Sequence, residues 1–159
     1  MLPVSPYRSL PADRRVELVT HALSSNSTLR NGFVQRIVAR GGGFRIATLK
    51  KWTPAQLARE VVRYNMETVQ DEFSLLHTLY VELQPALQIA FLETAGVQHE
   101  GSSIPEDLAP PFADAAAVRT AAVALVKDHG DDARRYLATI ALYNTEAWPG
   151  LGELLTELQ

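Results

Sequence analysis

The chain has 159 residues, 47% of them apolar and 21% charged, with no cysteine and a net charge of −3. That length suits one domain able to bury roughly 70% of the surface its unfolded chain exposes, and the composition is far from that of a disordered segment. Without cysteine, disulfides, thiolate metal sites and cysteine nucleophiles are excluded.

The small net charge hides an uneven distribution. Residues 1–65 carry 11 Lys and Arg against 3 Asp and Glu, a net +8, whereas residues 66–159 carry 4 against 15, a net −11. A basic half points to an anionic partner, unless the two halves neutralise one another. The opening "MLPVSPYRSLPADRR" has no apolar stretch behind a basic start, so we expect no secretory leader. No apolar run approaches the roughly 18 residues of a membrane span, and the expected setting is the cytoplasm, without membrane contact.

In chain order, Val16, Leu18, Val19, Ala22 and Leu23 follow helical steps, predicting a helix over about 11–24 with Asp13 capping it or in its first turn. "SNST" breaks it, and a second helix carries Leu29, Phe33 and Ile37 on one face and Arg36 and Arg40 on another. Three glycines, 41 to 43, follow Arg40; one suffices to end a helix in the left-handed conformation, and the others loosen the backbone. "FRIATLKKW" reads as an extended segment or loop with Phe44, Ile46 and Leu49 turned inward. Thr53, Pro54 and Gln56 then spell a helix start with a capping box.

Met66, Val69, Phe73, Leu76, Tyr80, Leu83, Leu87 and Ala90 form a seam of alternating three- and four-residue steps. It predicts one long helix over about 66–95, kinked at Pro85, with the hydrogen bond at residue 81 lost and with Glu67, Asp71 and Glu82 on its outer face. Residues 96–111 form the one long loop, followed by an alanine-rich helix, a break at His129 and Gly130, a further helix, and a short last helix on Leu151, Leu154, Leu155 and Leu158. The sum is an all-α, single-domain bundle of five to seven helices, with a Pro-kinked central helix and a C-terminal helical hairpin.

No stretch carries a catalytic or cofactor signature. The glycine run fits neither the Walker nor the dinucleotide pattern, and it follows a helix, whose carbonyl end repels phosphate. His21, His77, His99 and His129 lie in four separate segments without Glu-x-x-His or His-Glu-x-x-His spacing, so no metal site is assigned. The richest cluster is basic and aromatic: Arg36, Arg40, Arg45, Lys50, Lys51, Trp52, Arg59 and Arg63, a mixture suited to nucleic acid or to an acidic protein surface. We expect a non-enzymatic interaction module, homo-oligomeric and without cofactor, using this cluster. The competing expectation is a small-ligand or enzyme site under the 96–111 loop, drawing on His77, His99 and Glu100.

Overall fold

The structure is a computed structural model that describes residues 5–159. The first four residues, on which part of the reading of the N-terminus rests, lie outside it. The fold is all-α: among the described residues there are eight α-helices and one π-helical turn, and no strand. The chain divides into two compact units, residues up to Thr78 and residues from Leu79.

In the first unit, α1 (Ala12–Ser25), α2 (Ser27–Ala39), α3 (Ile46–Leu49), α4 (Pro54–Arg63) and α5 (Val69–Thr78) surround one core. The expected faces are the buried ones: Leu18, Val19, Ala22 and Leu23 of α1 and Leu29, Phe33 and Ile37 of α2, joined by Leu57, Ala58, Val61 and Val62 of α4. Pro11, not Asp13, occupies the N-cap of α1, and Asp13 stands in the first turn. The capping box of α4 is complete, with Gln56 N–H donating to Thr53 Oγ1 at 3.2 Å and Thr53 N–H donating to Gln56 Oε1 at 2.8 Å. Gly41 closes α2 with φ +82°. The segment after it differs from expectation in being helical at α3, where Leu49 is fully buried, Phe44 is half-buried and Ile46 is exposed. A four-residue helix turns only one of those three side chains fully inward.

The predicted 66–95 helix is corrected most. It is broken into α5, a π-helical turn at Leu79–Leu83 and α6 (Pro85–Ala95), and Gln84 leaves helical geometry at φ −130°, ψ 57°. Pro85 therefore starts a helix instead of kinking one, in the position where its missing N–H costs least. The Val81 carbonyl that a proline four residues on cannot serve receives Ser102 Oγ–H at 3.3 Å. The apolar seam survives only in part: Leu76, Tyr80 and Leu87 are buried, but Val69 is 75% exposed and Phe73 and Leu83 are also outside. The buried stripe runs through Glu72, Leu75, Leu76 and Leu79, at i, i+3, i+4 and i+7, and includes acidic residues that a purely apolar count rejects.

In the second unit, the π-helical turn and α6 precede the loop, α7 (Ala115–Tyr143) and α8 (Leu151–Glu157). Gly96 closes α6 in the left-handed conformation. Inside α7, Gly130 alone departs from helical geometry, at φ 55°, ψ −125°, and divides the helix where a break was expected. α8 is tied to both sides of that break, through Arg119 to Glu157 at 3.0 Å and Arg134 Nε–H to the Leu158 carbonyl at 3.0 Å. A chain of edge-to-face rings fills the core: Tyr80 and Phe91 against Tyr136, and Phe91 and Phe112 against Trp148. Burial pushes the Tyr136 phenol well above its ordinary value. No helix among the described residues is long and apolar enough to cross a membrane.

Candidate functional site

Drawing the boundary at Thr78 keeps the charge asymmetry. Residues 1–78 carry 11 Lys and Arg against 6 Asp and Glu, net +5, and residues 79–159 carry 4 against 12, net −8. The basic cluster of the sequence, however, splits into two populations within the first unit.

One population is internal. Glu67 and Asp71, expected on an outer face, are buried, as is Glu72. Asn65, in the left-handed region at φ 49°, bends the chain before α5, and Thr68 and Asp71 then cap the helix reciprocally: Asp71 N–H donates to Thr68 Oγ1 at 3.2 Å, and Thr68 N–H to Asp71 Oδ2 at 2.8 Å. The three carboxylates are thereby turned inward and met by arginine. Arg8 reaches Glu72 through Nε at 2.6 Å and Glu67 at 2.9 Å, and also donates to the Glu67 carbonyl and Asn65 Oδ1. Arg36 pairs with Asp71, donates to the Met66 carbonyl at 3.1 Å and lies over the Phe33 ring. Burial raises the Glu67 carboxyl above its ordinary value, against the opposing pull of Arg8. Tyr7, fully buried beside this cluster, is also raised, chiefly by desolvation. Arg36 is thus engaged by Asp71 and the Met66 carbonyl at the edge of the core, its side chain still 34% exposed.

The second population is external. Arg45, Lys50, Lys51 and Arg59 are exposed, and among the described residues none of them meets a carboxylate. Trp52, Gln56, Arg59, Glu60 and Arg63 line one open groove of about 450 Å³ along α4. Trp52 is half-buried and edge-on to Phe44 at 5.0 Å. Its carbonyl is held by Arg30 at 2.6 Å, which fixes the backbone between α3 and α4. Glu60 is the one acid of the groove, and Arg40 stands 3.6 Å from it. Arg40 also lies over Tyr64 at 3.1 Å from the ring centre, with Arg63 at 5.2 Å from the same ring. Sequence reasoning missed Arg30 and Tyr64 and read Gln56 only as a cap. For Tyr64 the local signal was the i, i+4 spacing to Glu60, and the arginine above them is Arg40, the C-cap of α2.

The alternative residues fall in different units. His77 is exposed near the end of the first unit, whereas His99 and Glu100 belong to the second. There, His99 Nδ1 lies 2.8 Å from the Gly101 carbonyl, and Glu100 and Ser103 exchange backbone hydrogen bonds in a tight turn. Gln88 holds the loop through the Ser102 carbonyl, and Ser102 serves Val81. These bonds give the loop a structural duty. Among the described residues no group of three or more His, Asp or Glu is placed to hold a metal ion.

No protein family and no solved structure matches the chain. Among curated proteins, a catalase-peroxidase of Cupriavidus metallidurans is 33% identical over 99 residues, which is 60% of this chain and 13% of that protein. The chain therefore spans about an eighth of that relative, and the likeness is confined to that part.

Proposed function

We propose that this protein is a non-enzymatic helical interaction module that holds an anionic partner, nucleic acid or an acidic protein surface, on the outer face of α3 and α4. The observation that carries the reading is the contrast in pairing: the buried carboxylates of the unit are matched by Arg8 and Arg36, while Arg45, Lys50, Lys51 and Arg59 have no carboxylate among the described residues. Exposed unpaired cations gain little for folding and remain free to displace counterions from a partner. An acidic surface could come from another copy of the chain, since residues 79–159 are net −8.

The test is titration of the protein against a labelled oligonucleotide and against poly-L-glutamate at about 50 and about 200 mM salt, with sedimentation of the protein alone at both. Binding of either polyanion, or self-association, that weakens steeply with salt and is reduced in Arg59→Ala/Arg63→Ala supports the reading. Absence of all three at the lower salt contradicts it.

A further inference from the structure

Resting on that reading, we propose that the anionic partner is a single-stranded nucleic acid, seated with a base on Trp52 and its phosphates along Arg59 and Arg63. An acidic protein surface calls only for cations, but this face also offers a ring. Trp52 lines the same groove as the two arginines, partly exposed, with its ring set edge-to-face against Phe44 and its backbone carbonyl held by Arg30. A ring so seated loses little freedom when a base stacks on it, which is how single strands are bound without sequence preference.

The cations are arranged to follow a strand. Arg59 and Arg63 are one turn apart on α4, placing their Cβ atoms about 5–6 Å from each other on the groove wall. Lys50 and Lys51 directly precede Trp52 in the chain and are exposed, adding two cations beside it in sequence. The groove's only carboxylate, Glu60, is offset by Arg40 at 3.6 Å and so opposes a polyanion less than a free acid would. Arg63 and Arg40 about Tyr64 extend the cationic wall at the C-terminal end of α4. A duplex keeps its bases stacked inside and presents no free face to Trp52, so the single strand is the form that uses both parts of the groove.

The experiment compares a labelled oligothymidylate, a duplex of equal length and poly-L-glutamate by anisotropy, with tryptophan emission followed in parallel. Trp148 is buried, so a change in emission on binding reports Trp52. Expected are preferential binding of the oligothymidylate, quenched emission, an affinity loss of about tenfold in Trp52→Ala and a smaller one in Trp52→Phe, which keeps a ring. Equal binding of poly-L-glutamate, preference for the duplex, or unchanged emission of the wild-type protein on binding overturns the single-strand proposal while leaving the anionic-partner reading intact. Failure of every polyanion to bind, with no self-association, removes both.

Discussion

Two sets of arginines in the same unit have opposite fates. Arg8 and Arg36 are drawn from the basic half of the sequence to cover Glu67, Glu72 and Asp71 from the acidic half, and the pairs are largely removed from water. Arg59 and Arg63, one turn apart on α4, look outward into an open groove. Charge totals treat these residues alike. The carboxylates they meet separate them into cations that hold the fold and cations available to a partner, because a buried acid is costly unless a cation reaches it.

That difference can be broken most forcefully at Arg8. Arg8→Ala leaves Glu67, whose side chain is 0% exposed, and Glu72 without their shared guanidinium. A loss of about 3–5 kcal/mol in chemical denaturation is expected, since removing one partner of a buried pair strands the other. Arg59→Ala, by comparison, should shift stability by under about 0.5 kcal/mol.

A second test uses pH. Because burial raises the folded-state pKa of Glu67 above its ordinary value of 4.5, the native state binds this proton more tightly than the unfolded one. The contribution is fully present below 4.5 and is lost as pH rises through the raised value. Glu67→Gln, which stays uncharged, should therefore flatten that fall in denaturation midpoints measured across the window. An unchanged pH profile would show that Arg8 fully offsets the burial.

Smaller still is the cap of α4, which carries the groove. Thr53→Ala removes the acceptor for Gln56 N–H and should cost about 1 kcal/mol in denaturation, with weakened binding if fraying of the first turn displaces Trp52.

The same contrast explains what was legible in the sequence. Apolar periodicity located α1 and α2 and their buried faces, and Thr53, Pro54 and Gln56 marked the start of α4, because these signals act within one or two turns. The long seam through Val69, Phe73 and Leu83 misled, since it counted only apolar side chains, whereas the inner stripe accepts Glu72 on condition that Arg8, 64 residues earlier, reaches it. Nothing local to Glu67 or Asp71 announces such a partner. The groove was half visible for a related reason: Arg59, Arg63 and Trp52 are near neighbours in the chain, but Arg30 and Arg40, which steady Trp52 and Glu60, come from α2 and its C-cap.

The salt dependence of polyanion binding by the wild-type protein and by Arg59→Ala/Arg63→Ala tests the role of the outer face most directly. With a single-stranded oligonucleotide, losing two phosphate contacts should lower the slope of log affinity against log salt by about 1.4, with the denaturation midpoint essentially unchanged. An unaltered slope in a folded double variant would contradict the claim that this outer face, as distinct from the arginines paired with buried carboxylates, is what the protein offers a partner.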